Sequence, residues 1–233
     1  MGWRKWSGRT VVLSVLCALC SADAPAAVTV EKAPVVVVRK TFDRRNPPKD
    51  MPALGPDADA ITNINFTCSA NARYATVLRA REGPAGSGSS TRINDIAVKV
   101  GLEITIWVPR GARRKLVDHE EGHRVIGERV YETAERVARE EARRWVGRRV
   151  TGADDDAAVR EATQRCCDAY LDATSNRAGR IGRLYDEITR HGRADTEVEA
   201  AIEEAFRRDA RDHPAATPTP VPERASERAR GAP

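Results

Sequence analysis

Residues 104–123 read ITIWVPRGARRKLVDHEEGH, and this stretch joins a predicted strand to a predicted helix. β-Branched and apolar residues dominate the segment 96–108, which predicts a strand that ends at Pro109 and Gly111. After Gly111, apolar residues recur at three- and four-residue steps, which predicts a helix over about residues 113–148. The sequence therefore predicts that a strand-rich half of the chain gives way to a helical half at this point.

The segment His119-Glu120-Glu121-Gly122-His123 has the H-E-x-x-H pattern inside this predicted helix. Residues four apart lie on one helical face, so the two imidazoles can bind one Zn2+ ion. Glu120, beside the first histidine, is placed to take a proton from a water molecule at the metal. The motif therefore predicts a zinc hydrolase, and the alternative is a pair of buried, hydrogen-bonded core histidines.

A third metal ligand must come from outside the motif helix. Ile126 stands where the metzincin pattern requires a glycine, so that continuation of the motif is excluded. His191 is the leading candidate because it lies at the end of the second predicted helix, where Gly192 is a plausible C-cap. The carboxylate alternatives are Asp186 and Glu187.

Two residues near His191 have candidate roles in the chemistry. Tyr185 is expected to donate a hydrogen bond to the oxyanion formed during hydrolysis, and the alternative is a buried core tyrosine. Asp186, if it is not itself a ligand, could accept a hydrogen bond from a metal-binding histidine and so orient its ring. An exposed helix carboxylate is the competing interpretation of Asp186.

Residues 1–27 predict a secretory signal peptide. Three basic residues precede an apolar run at residues 11–20, and small residues follow up to Ala26, after which we expect cleavage. The run is shorter than the roughly 20 apolar residues that a membrane-spanning helix requires, and no later segment approaches that length. We therefore expect a secreted or periplasmic protein with no stable membrane insertion after cleavage.

The charge pattern argues against a nucleic-acid partner. The formal net charge is +5, and it falls to +3 without the leader, which contains three basic residues and one acidic residue. Basic and acidic residues alternate at helical spacing, which is typical of solvated helix faces. Aromatic residues make up 5% of the chain and do not interleave with a basic stripe. We expect a peptide or protein substrate, and the sequence does not fix an oligomeric state.

Three cysteines remain once the leader is removed. An oxidising compartment favours one disulfide from Cys68 to either Cys166 or Cys167. Cys167 shares an apolar helical stripe with Ile181 and Tyr185, so we favour it as the partner. A thiolate zinc site is the alternative, but adjacent cysteines lack the spacing of a zinc knuckle.

The chain predicts a single α+β domain over residues 28–211. Its strands form a small, mostly antiparallel sheet, and they are predicted at residues 35–39, 61–68, 74–80 and 96–108. The Gly- and Ser-rich residues 83–90 predict a flexible hairpin connection. The helices are predicted at residues 113–148, 156–191 and 196–211. Residues 212–233 are rich in proline and charge and predict a disordered tail, so we discount His213 as a ligand.

The chain resembles the predicted secreted zinc-dependent proteases of bacteria, a family long catalogued as a domain of unknown function. The resemblance covers roughly residues 60–205. It rests on residues 104–109, the motif 119–123 and the downstream residues Tyr185, Asp186, Thr189, His191 and Gly192. Two positions depart from the family pattern, because Glu121 and Arg124 stand where glutamine and an aromatic residue are usual.

Motif and resemblance together imply an exported zinc metallopeptidase with a zincin-like fold. In that enzyme His119, His123 and His191 would bind Zn2+, Glu120 would act as the general base, and Tyr185 would stabilise the oxyanion. The alternative function is a zinc-binding structural or interaction protein that uses the same scaffold with little or no turnover.

Overall fold

The computed structural model describes residues 27–55, 58–79 and 89–214. Three sequence-based expectations fall outside these ranges. They are the signal peptide with its cleavage near Ala26, the flexible connection at residues 83–88 and the tail beyond residue 214.

The described chain forms one five-stranded sheet and five α-helices. The strands are β1 (Val28–Lys32), β2 (Val36–Phe42), β3 (Ile61–Arg79), β4 (Ser89–Pro109) and β5 (Arg149–Gly152). The helices are α1 (Arg114–Glu132), α2 (Ala134–Arg143), α3 (Asp155–Leu171), α4 (Arg177–Thr189) and α5 (Val198–Asp212). A π-helical segment, Asp172–Asn176, joins α3 to α4. The α+β class and the strand-rich first half are confirmed.

The sheet is mixed, which corrects the expectation of a mostly antiparallel sheet. Strands β1 and β2 both pair parallel with β4, whereas β3 and β5 pair antiparallel with it. The three residues 33–35 connect β1 to β2 without a reversal, so the two strands follow one edge of β4 end to end. This placement could not be inferred from the strand pattern, because alternation of apolar residues does not specify strand direction.

The long pair β3 and β4 supplies the surface on which the helices pack. The two strands predicted at residues 61–68 and 74–80 are one continuous strand, whose register shifts after Arg73 and Thr76. One face of β4 is buried, and its core residues are Ile93, Ile96, Val98, Val100, Leu102, Ile104 and Ile106. Helix α1 packs on this face through Ile126 and Val130, so the motif helix lies directly against the sheet.

The first part of the helical half differs from its prediction in two places. The helix expected over residues 113–148 is divided at Thr133, whose backbone ends α1 and begins α2. Strand β5 then pairs with the first residues of β4, and it lies between two predicted helices where no strand was expected. Strand β5 has only four residues, and they are at most partly buried. So short a segment gives no clear strand pattern beside two sequences with helical periodicity.

A disulfide joins Cys68 on β3 to Cys167 on α3, and Cys166 is a buried free thiol. The favoured pairing is confirmed, and it fixes α3 to the middle of β3. A disulfide is compatible with an extracellular location. In the described ranges, no helix is both long enough and apolar enough to cross a membrane.

Candidate metal centre

Helices α1 and α4 pack against each other, and their contact brings the two sequence segments of the candidate site together. Helix α1 contributes His119, Glu120 and His123 from the buried side that faces the sheet and α4. Helix α4 contributes Tyr185 and Asp186 near its carboxyl end. Both histidines face inward, since His119 is buried and His123 is partly buried.

One carboxylate oxygen of Asp186 lies between the two motif histidines. The Nε2 atom of His119 is 3.2 Å from Asp186 Oδ1, and the Nε2 atom of His123 is 3.0 Å from the same oxygen. One donor atom from each of these three residues lies within 4.8 Å of the other two. His119, His123 and Asp186 therefore form a group that could hold a metal ion.

The spacing of these atoms fits tetrahedral metal coordination. Ligand atoms that sit about 2.0 to 2.1 Å from one ion at tetrahedral angles lie about 3.3 Å from one another. The two distances to Asp186 are close to that separation. Two imidazole nitrogens and one carboxylate oxygen are also a donor set that proteins use for zinc at sites with an open fourth position.

The charge of Asp186 suits a metal ligand. Burial alone would raise the pKa of its carboxyl group, but the hydrogen bonds with His119 and His123 outweigh burial and hold the pKa well below its ordinary value. The group is therefore a carboxylate across the physiological pH range. An ionised carboxylate is what coordination of a cation requires.

Thr189 contacts the ring of His119 and orients it. Its Oγ1 atom lies 3.3 Å from His119 Nδ1 and donates its own proton to the backbone oxygen of Tyr185, 2.8 Å away. The hydroxyl oxygen can then accept a hydrogen bond from Nδ1–H, and Nε2 is the ring nitrogen that faces Asp186 and the candidate metal position. This is the arrangement in which a histidine binds a metal through Nε2.

Tyr185 packs behind the histidines. Its ring stacks on His119 with 5.0 Å between centroids and meets His123 edge to face at 5.1 Å. Burial raises the pKa of its hydroxyl far above the ordinary value, and that hydroxyl donates to the backbone oxygen of His119 at 3.3 Å. The expectation that Tyr185 donates to an oxyanion does not fit this placement. The alternative, a buried core tyrosine, describes it correctly.

Two glycines permit this close packing. A Cβ atom at Gly122 would lie 2.2 Å from the Tyr185 hydroxyl oxygen and 2.6 Å from the ring carbon that bears it. A Cβ atom at Gly192 would lie 3.0 Å from the Cβ of His119, and the φ angle of Gly192 is +75°. The absence of a side chain at Gly122 therefore lets Tyr185 pack behind the histidines, and its absence at Gly192 lets the loop after α4 pack against His119.

His191 lies beside the three-residue group and is not a member of it. Its Nδ1 atom is 3.7 Å from Asp186 Oδ1, and its side chain is 49% exposed. The prediction that His191 occupies the last turn of the helix is wrong, because α4 ends at Thr189. The next two residues, Arg190 and His191, both have positive φ angles. The structure therefore favours Asp186, the carboxylate alternative, over His191 as the third ligand. Glu187, the other alternative, is exposed and is not in the group.

Glu120 is positioned by a contact from the sheet. It is 4% exposed, and its Oε2 atom accepts a hydrogen bond of 2.6 Å from the hydroxyl of Thr62 at the start of β3. Thr62 could not be identified from sequence, because a threonine in a predicted strand is ordinary and only the packing of α1 on β3 brings it to Glu120.

An open cavity of about 280 Å3 adjoins the metal-binding group. Glu120, His191 and Thr62 all line it, and so do His119, His123 and Asp186. The rest of its wall is formed by Gly55, Ala58, Asp59, Ala60, Ile61 and Leu116. A substrate could therefore reach the candidate metal position and Glu120 from the same side.

A scan against protein-family models finds no match for this chain, and searches of curated proteins and of solved structures find none either. The resemblance to secreted zinc-dependent proteases stays a prediction that rests on the motif residues and their arrangement.

Proposed function

We propose that the protein is an exported zinc-dependent metallopeptidase whose metal is held by His119, His123 and Asp186. The observation that carries the proposal is the convergence of these three donors beside Glu120 in an open cavity. A purely structural metal site is normally closed by four protein ligands, whereas a hydrolytic site has three and keeps one position open. The three-residue group His119, His123 and Asp186 therefore supports a hydrolytic site.

Zinc is the metal that suits this donor set best, since zinc accepts both imidazole nitrogen and carboxylate oxygen in a tetrahedral arrangement. When bound, it would polarise the scissile carbonyl and acidify the attacking water. The protein's own residues supply the remaining steps. Asp186 contributes one negative charge, and Thr189 orients the ring of His119 so that Nε2 faces the metal position.

Glu120 acts as the general base in this proposal. One of its carboxylate oxygens is engaged by Thr62, which leaves the other available to take the proton of the attacking water. The protonated Glu120 then returns that proton to the amine of the departing peptide fragment.

The test compares two neighbouring glutamates. Glu120→Gln keeps the side-chain shape but cannot take a proton, so zinc content should stay near one ion per chain while hydrolysis of a quenched fluorescent peptide library falls at least about 100-fold. Glu121→Gln is the matched control, because Glu121 pairs with Arg39 and Arg124 and should leave both quantities close to wild type.

Two results would count against the proposal. Hydrolysis by the Glu120 variant at the wild-type rate would show that Glu120 is not the base. A zinc-loaded wild-type protein that cleaves no peptide in the library would instead indicate a zinc-binding structural or interaction protein.

A further inference from the structure

The hydroxyl of Thr62 contacts Glu120 at both its carboxylate and its backbone. The hydroxyl oxygen is 2.6 Å from Glu120 Oε2 and 3.1 Å from the backbone oxygen of the same residue. A threonine hydroxyl has a single proton and can donate it to only one of the two. The carboxylate receives it, because a short hydrogen bond to an ionised oxygen is the stronger of the pair.

The threonine is held more rigidly than the glutamate it contacts. Thr62 pairs with Ile106 on β4, and its β-branched side chain has few χ1 rotamers available. Glu120 extends from α1 through three rotatable bonds and would sample several rotamers without a partner. The sheet therefore sets the position of a carboxylate that the helix alone would leave mobile.

We infer that Thr62 is a positioning residue that holds Glu120 in the geometry needed for proton transfer, an inference that rests on the proposed function. The contact engages Oε2 and leaves Oε1 for the water molecule. Both residues line the cavity next to His119 and His123, so the contact lies at the place where substrate would bind.

The kinetic test uses three variants of the zinc-loaded full chain. In Thr62→Val the shape is kept and the donor is lost, so kcat for a cleaved library peptide should fall about 10- to 100-fold with KM and zinc content unchanged. Thr62→Ser keeps the hydroxyl and should restore most of kcat. Thr67→Val is the matched control, because Thr67 is exposed on the same strand, and it should behave like wild type.

A second arm asks whether Thr62 acts through Glu120. In the Glu120→Gln background, Thr62→Val should cause no further loss, because the group that it positions is no longer a base. The inference is overturned if Thr62→Val retains wild-type kcat, or if it lowers kcat by the same factor in both backgrounds.

Failure of the proposed function gives a different result. If the wild-type protein holds zinc but cleaves no peptide, neither Thr62 nor Glu120 has a catalytic role. Urea unfolding then tests whether the hydrogen bond between the two residues is present. Thr62→Val and Glu120→Ala should be non-additive in their effects on the unfolding midpoint if the hydrogen bond is present. Additive effects would overturn the contact.

Discussion

Thr189 occupies the position on which the orientation of His119 depends. Its side chain is 3% exposed, accepts from His119 Nδ1 and donates to the backbone of its own helix. Removing the hydroxyl would therefore remove a hydrogen-bond partner that orients the ring of His119.

We predict that Thr189→Val lowers zinc affinity about 10- to 100-fold, the usual effect of losing the residue that orients a metal-binding histidine. Thr189→Ser, which keeps the hydroxyl, should retain most of the affinity. Competition with a fluorescent zinc chelator measures both. Equal affinities for Thr189→Val and wild type would show that zinc binding by His119 does not depend on Thr189.

The residues of the site differ in how far sequence alone could predict them. His119, Glu120 and His123 could be assigned because their relation depends only on the period of one helix. The choice between Asp186 and His191 could not, because it depends on how α4 docks on α1. The choice of ligand also depends on the end of α4, because the helix ends two residues before His191 and does not carry that side chain. A left-handed backbone at two non-glycine residues has no reliable sequence signal.

At the scale of elements, the site depends on how closely α4 approaches α1. The ring of Tyr185 lies over Gly122, and the loop after α4 places Gly192 against His119. Any side chain at Gly122 would push the helices apart, and Asp186 would then move away from the two histidines. Packing of the helices and geometry of the metal group are therefore linked.

We predict that Gly122→Ala destabilises the protein by about 1 to 3 kcal/mol through overpacking, and that it weakens metal binding as well. Gly179→Ala is the matched control within α4. Its Cβ would meet only the far end of the Arg183 side chain at 3.8 Å, so the gain in helix propensity should make it neutral or slightly stabilising. Thermal unfolding with and without zinc measures both variants. A Gly122→Ala protein as stable and as zinc-replete as wild type would contradict this account of the contact.

In the sheet, too, features that depend on local sequence could be predicted, and features that depend on distant contacts could not. The strand at residues 96–108 could be predicted because its alternation is strong, and it forms most of β4. The parallel pairing of β1 and β2 with β4 depends on contacts between residues about 70 positions apart in the chain, which local pattern does not encode. Strand β5 exists only because β4 extends far enough to pair with it.

At the scale of the whole molecule, one disulfide ties the sheet to the helical half. Cys68 and Cys167 are 99 residues apart in sequence, so the bond closes a long loop in the unfolded chain. Cys166 next to it is buried, and burial together with the nearby Glu141 raises the pKa of its thiol to about 11. Because the thiolate is the reactive form, Cys166 should be inert at pH 8.

We predict that, in the chain without its leader, alkylation at pH 8 labels no cysteine of the folded protein and one cysteine after unfolding without reductant. The Cys166→Ser variant should give no labelling in either state. Reduction of the disulfide should lower the free energy of unfolding by about 2 to 5 kcal/mol. Three labelled thiols in the unfolded, unreduced protein would contradict the bond.

The central claim is that α1 and α4 together build one metal centre from His119, His123 and Asp186. Equilibrium dialysis against zinc with a graded chelator, followed by metal analysis, tests it most directly. We predict one zinc ion per wild-type chain, loss of that ion in Asp186→Ala, and retention in the neighbouring exposed control Glu187→Ala. Zinc held as tightly by Asp186→Ala as by wild type, with loss of the ion in His191→Ala, would contradict the account and make His191 the third ligand.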